Sequence, residues 1–181
     1  MKIWQLNFEV DLYDNLVPVP KLSVDELQTF DGRSHLSHWS PLHVARMEPE
    51  KGLPLSDAPG CVFPVFSRHA LGCLKSLIES YIEILPLDFD EGDYLGINVT
   101  TVLDAVDYEK SIYKTFRDGK RIMSFKKYSF IPSVVEGIPI FKITDEKVRY
   151  AFVSDAFKGI VEKNKLTGFA FRLVWDSDRV D

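Results

Sequence analysis

The sequence predicts an α+β fold, a mainly antiparallel β-sheet with two principal helices packed on it. Three observations lead there. Several segments alternate apolar and polar residues, the period of a half-buried strand. Two segments repeat apolar residues at helical spacing behind a serine able to cap them. Two short turn sequences, at residues 118–119 and 144–147, lie between strand-like segments and join them as hairpins.

Residues 2–10 alternate cleanly, with Trp4, Leu6, Phe8 and Val10 on one face and Ile3, Gln5, Asn7 and Glu9 on the other. That is a half-buried strand. Residues 14–60 are interrupted by Pro18, Pro20, Pro41, Pro49, Pro54 and Pro59. This irregular, Pro-rich N-terminal segment is expected to wrap over a sheet, with one short strand near 42–47. Ser67 then caps a helix, because its hydroxyl can accept from a free N–H of the first turn. Phe66 and Leu71 are placed as a hydrophobic staple. Ala70, Leu71, Leu74, Leu77, Ile78 and Tyr81 form the buried stripe, and Pro86 limits the far end.

Residues 88–93 form an acidic loop, followed by a strand carrying Leu95, Ile97, Val99 and Leu103 on one face. Asp118-Gly119 suits a type I′ turn between strands at 112–117 and 120–125, since both central residues need positive φ. Residues 138–143 and 148–153 make a second hairpin. Pro139 puts its first strand at an edge or begins it. Ser154 caps a second helix, with Asp155 in its first turn and Lys163 and Lys165 near its end, as the helix dipole favours. Phe157, Ile160 and Val161 supply its buried face. Gly168 turns the chain into a last strand on which Phe169, Phe171, Leu173 and Trp175 share one face. The expected organisation is a single domain, 1–181, without internal repeats.

Composition narrows the function classes. The 181 residues are 45% hydrophobic and 13% aromatic, enough for a packed core and too apolar for a disordered chain. The net charge of −5 argues against generic nucleic-acid binding, which needs clustered Lys and Arg. No run approaches the ~20 apolar residues of a membrane span. Glu9 and Asp11 interrupt any signal-peptide h-region. Two cysteines, Cys61 and Cys73, suit reduced thiols in a cytoplasmic protein.

Motifs for chemistry are sparse. His35, His38 and His43 lie close together, yet no Cys-x-x-Cys or His-Glu-x-x-His accompanies them, and they read as a His-rich polar loop. Cys73 follows His69 by four positions on one helix face, and Cys61 is the other thiol that a histidine base could activate. A small buried thiol is the simpler reading of either. No glycine-rich phosphate loop or Gly-x-Ser-x-Gly elbow is present. Asp104, Asp107 and Glu109 follow a strand and read as a solvated turn rather than a Mg²⁺ site. No cofactor, metal or catalytic residue is expected.

Charge is distributed unevenly. Residues 1–93 hold 7 basic and 15 acidic side chains, and residues 94–181 hold 15 basic and 12 acidic. The first half is therefore at −8 and the second at +3, with the acidic excess densest at Asp88, Asp90, Glu91 and Asp93. A negative patch of this kind steers a basic partner and raises its association rate.

From about residue 62 onward the chain resembles a known family in six stretches. The matching stretches are Phe63-Pro64-Val65-Phe66-Ser67-Arg68, Asn98-Val99-Thr100-Thr101-Val102-Leu103-Asp104 and Asp107-Tyr108-Glu109-Lys110-Ser111. They continue with Ile138-Pro139-Ile140-Phe141-Lys142-Ile143, Phe152-Val153-Ser154-Asp155-Ala156-Phe157 and the terminal Leu166-Thr167-Gly168-Phe169-Ala170-Phe171-Arg172-Leu173-Val174-Trp175. Their order over roughly two-thirds of the chain carries a resemblance to the immunity protein 11 family. It implies an α+β immunity protein that binds and blocks a cognate bacterial toxin, with no catalytic residues to transfer. A basic nuclease toxin would meet an acidic face, for which Asp88, Asp90, Glu91 and Asp93 are the candidates, with Phe89 and Tyr94 as aromatic anchors. The competing expectations are a small enzyme built on His69/Cys73 or Asp104/Asp107/Glu109, and a secretion-system adaptor or ligand-binding module.

Overall fold

The computed structural model describes residues 1–178. Its first sheet places strands in the order β12-β1-β11-β10-β7, that is Phe169–Asp176, Lys2–Phe8, Phe152–Ser154, Ile140–Ile143 and Val102–Leu103. The second has the order β2-β3-β5-β6-β4, that is Leu16–Pro18, Leu42–Arg46, Ile82–Asp88, Tyr94–Val99 and Val65–Ser67. Strands β8 (Ile112–Thr115) and β9 (Ile122–Lys127) form a separate ribbon. The helices are α1 (Val24–Gln28), α2 (Arg68–Ile78), α3 (Pro132–Val135) and α4 (Asp155–Lys163). The α+β class stands. The sheets are mixed, because β10 pairs with β7, and β3 with β5, in parallel.

The serine caps form as the sequence implies. Ser67 accepts from the Ala70 N–H at 3.0 Å, and Ser154 from that of Phe157 at 3.4 Å. Ala70, Leu71, Leu74 and Ile78 of α2, with Phe157 and Val161 of α4, then face one core that both sheets share. A second core lies against residues 105–135 and is largely aromatic, with Phe130, Phe141 and Phe152 all buried. A third packs Phe30 and Phe63, stacked at 4.6 Å, against Leu85 and Val44. Burying each such side chain is worth roughly 1.5–3 kcal/mol, so three clusters give ample packing.

Several elements differ from the sequence reading. β1 is buried on both faces: Leu6 enters the first core and Ile3 the second. Its polar residues misled the period argument, since Gln5 is buried too and accepts a hydrogen bond from Arg172. Residues 82–88 form a strand that Pro86 obscured. Pro86 sits where β5 changes neighbour, from β6 over 82–86 to β3 at 87–88. The strand expected over 95–103 breaks at Thr100, whose N–H bonds to Tyr81 O, so β6 and β7 enter different sheets. At the ribbon tip only Gly119 has positive φ, +67°, and its N–H bonds to Phe116 O at 2.9 Å. The turn is therefore not type I′, because Asp118 keeps negative φ and instead caps the loop by accepting from the N–H groups of Lys120 and Arg121.

On β12 the expected common face splits. Ile3 pairs with Trp175 and Trp4 with Leu173, so Val174 is an extra residue. Such a bulge reverses the alternation beyond it. Phe169 and Phe171 pack on the first core, and Trp175 on the second, 5.9 Å from Phe130. β10 is an inner strand, so Pro139 marks its start and not a sheet edge. The N-terminal segment does more than wrap. It contributes β2 and β3 to the second sheet, and its residues 33–35 are held to β5 and β6 by Glu83 and Asn98.

Candidate functional site

The acidic loop is the hairpin connection between β5 and β6. Pro86 pairs with Leu95, Leu87 and Asp88 with β3, and Tyr94 with β4, so residues 89–93 project from the end of the second sheet. Two neighbouring strands flank it: β3 runs parallel to the end of β5, and β4 antiparallel to the start of β6. Each flank supplies a cation, which the linear sequence does not reveal.

His43 Nδ1 on β3 lies 3.2 Å from Asp88 Oδ2. Arg46, three residues beyond it at the end of β3, donates from Nε to Glu91 Oε2 at 2.7 Å. Its Nη1 also donates to Leu53 O at 2.9 Å and sits 3.6 Å from Oδ2 of buried Asp14. Arg68, at the first turn of α2, makes a two-pronged contact with Asp93, through Nε and Nη2. The hydrogen bonds from Arg68 hold the Asp93 carboxyl below its ordinary pKa. Glu91 in turn raises the Arg46 guanidinium. No cation pairs with Asp90 among the described residues, and it is exposed.

The aromatic pair is half-buried. Phe89 and Tyr94 meet edge to face at 5.8 Å, and the Tyr94 hydroxyl donates to Ser56 O at 2.9 Å. Both rings pack against the third core. They brace the loop, with only part of each ring at the surface. The arrangement gives a fixed acidic rim, neutralised on its flanks at Glu91 and Asp93 by Arg46 and Arg68 and negative at Asp88 and Asp90. Pairing removes about half of the charge that counting residues suggests, and what remains is held in place.

The other candidates do not converge. His35 stacks on Phe30 at 4.7 Å with Nε2 3.0 Å from Thr29 O, so it is tied into the third core. Among the described residues no cluster of His, Cys, Asp and Glu could hold a metal ion. His69 is exposed while Cys73 packs on the first core. Burial pushes the Cys61 thiol pKa up, which disfavours the nucleophilic thiolate. Asp107 accepts from the N–H groups of Glu109 and Lys110 and from Lys110 Nζ, the geometry of a capped turn. No described helix is long and apolar enough to cross a membrane.

Residues 87–176 match the model of the immunity protein family Imm11. The matched span begins at the acidic loop and runs through β12. It leaves out β1 to β4 and α2, so the stretch Phe63-Pro64-Val65-Phe66-Ser67-Arg68 lies outside it. Strand β1 nevertheless sits between β11 and β12, inside the sheet that the family segment builds. No curated protein matches the chain. Residues 87–176, just under half of the chain, thus carry its similarity to the immunity protein family Imm11.

Proposed function

We propose that this protein neutralises a cognate bacterial toxin by stoichiometric, non-catalytic binding in the cytoplasm, covering the toxin's active site or a surface it needs. The family match over 87–176 is the observation that carries the reading, since immunity proteins act on toxins. The acidic rim of Asp88, Asp90, Glu91 and Asp93, braced by Phe89 and Tyr94, supports a basic toxin surface as the partner, of the kind a nuclease presents. A rim already ordered by Arg46 and Arg68 loses little conformational entropy on docking, which favours a tight complex.

Co-expression tests the reading. Cells carrying the toxin encoded beside this gene should survive when this protein is present, and purified protein should form a complex of fixed stoichiometry with that toxin. Toxicity that persists with the protein expressed and folded removes the immunity reading. An enzyme would instead protect at substoichiometric amounts, and a secretion adaptor would bind without protecting.

A further inference from the structure

An open groove of about 750 Å³ runs along the outer edge of β12. One wall is formed by residues 173–177 and the other by residues 127–130 with Pro132. A smaller extension of about 190 Å³ continues it between residues 172–174 and 125–128. Strand β12 is terminal in its sheet and β9 is bound only to β8, while beyond β9 the wall bonds on its far side to residues 105–111, through the Val106–Phe130 bridge and the Ser129 and Ile131 backbone. Strand edges present rows of N–H and C=O groups that another chain can pair with.

The two walls run in the same direction. Residues 125–128 face 172–174, and 127–132 face 173–177, so numbering rises together along the groove. A segment between them can therefore pair antiparallel with both, the commoner arrangement. The six residues 172–177, the last five of β12 and Ser177, give a slot roughly 20 Å long. The bulge at Val174 turns Trp175 towards Phe130, and both rings line the groove, giving it an apolar floor. Its rim is net basic: Lys126 is exposed on it, Arg172 reaches it while also donating to Gln5 Oε1, and Lys127 lies opposite Asp176, whereas Lys110 is already paired with Asp107.

We propose that this groove is a docking slot for an extended acidic segment of the toxin, which adds as a strand between β12 and β9. The segment alternates apolar side chains, set on Phe130 and Trp175, with carboxylates at the basic rim. Main-chain pairing supplies affinity and the alternate pockets supply specificity, as in other strand additions. The assignment rests on the immunity reading for the identity of the partner. It complements the acidic rim on the loop after β5, giving two surfaces of opposite sign for one toxin.

The test uses the full chain and a capped eight-residue peptide of alternating Glu and Val, with its Lys/Val counterpart as control. Hydrogen exchange should slow at backbone amides within 172–176 on adding the Glu/Val peptide, and the Lys/Val peptide should bind at least about tenfold more weakly. The double variant Lys126→Glu, Arg172→Glu should reverse that preference, and its exchange elsewhere reports that it is folded. No slowing at 172–176, equal binding of both peptides, or protection already present in a dimer of this chain alone overturns the slot. In the toxin complex, unchanged exchange at 172–176 also overturns it, while survival on co-expression would leave the immunity reading standing.

Discussion

Arg46 Nε donates to Glu91 Oε2 at 2.7 Å, joining the middle of the second sheet to the acidic loop. The same guanidinium is 3.6 Å from Asp14 Oδ2, an oxygen buried without a hydrogen-bond partner. Asp14 Oδ1 already accepts from the Asn15 and Glu48 N–H groups. Arg46 is thus the compensating charge for a carboxylate that holds two loops together.

Arg46→Met should therefore cost about 1–3 kcal/mol, because it leaves a buried carboxylate unpaired. For a chain of this size that lowers Tm by roughly 2–4 °C per kcal/mol. Glu91→Gln removes only an exposed partner and should change stability by less than ~1 kcal/mol. Urea melts of the two variants beside wild type decide the point. Equal effects would show that Arg46 matters for Glu91 alone.

Asp90 is the loop carboxylate without a cation among the described residues. Asp90→Lys should slow toxin association a few-fold at low salt and leave the melting curve unchanged, since no folded contact is lost. Asp93→Lys removes the partner of Arg68 and should disturb both. Stopped-flow association at two ionic strengths measures the effect. Rates equal to wild type in every loop variant, including combined reversal of Asp88, Asp90, Glu91 and Asp93, would take the loop out of the interface.

Gly168 joins the family segment to the preceding half of the chain. Its φ is +82°, and a Cβ there would lie 2.1 Å from Ser56 Oγ and 2.6 Å from Ala58 O. Gly168→Ala meets backbone as well as side chain, so rotation of Ser56 cannot relieve it. It should destabilise by roughly 1–3 kcal/mol or more. Gly137→Ala, also at positive φ but with open space around it, isolates the backbone component. Matching losses for the two variants would show that the Ser56–Ala58 contact is not a constraint.

Helices α2 and α4 and their caps were legible because each depends on residues within one turn, whereas the short α1 and α3 carry too few apolar repeats to show a helical period. Ser67 and Ser154 cap as their sequences imply, and the stripe on α2 faces the core. Strand partners were not legible, since pairing is settled by neighbours far away in sequence. β1 looked half-buried because Gln5 and Asn7 supplied the polar alternation, yet Gln5 is buried beside Arg172. The bulge at Val174 leaves no local mark, so strict alternation along β12 puts Trp175 on the face opposite to the one it occupies. At the site, the acidic run was visible, but Arg46 and Arg68 stand 45 and 25 residues from their partners. The groove beside β12 was invisible for the same reason, as its walls come from separate segments.

Lys142 gives a test that depends on pH. It is buried on β10, donates from Nζ to Phe30 O, and burial brings its pKa down to about 8 from 10.5. The folded chain therefore favours the neutral amine. The stability linked to this group is fully present above pH 10.5 and is lost as pH falls through about 8. Lys142→Met abolishes the titration without introducing a new polar group. The difference in unfolding free energy between wild type and variant should move in favour of wild type as pH rises from 8 to 10.5, by up to roughly 3 kcal/mol. Taking the difference cancels the tyrosines and other groups common to both proteins. Urea melts at steps across that range give the slope. A difference that stays flat would mean that Lys142 keeps the same proton affinity folded and unfolded, and that its ammonium is accommodated by Phe30 O and the nearby Asp31 carboxylate.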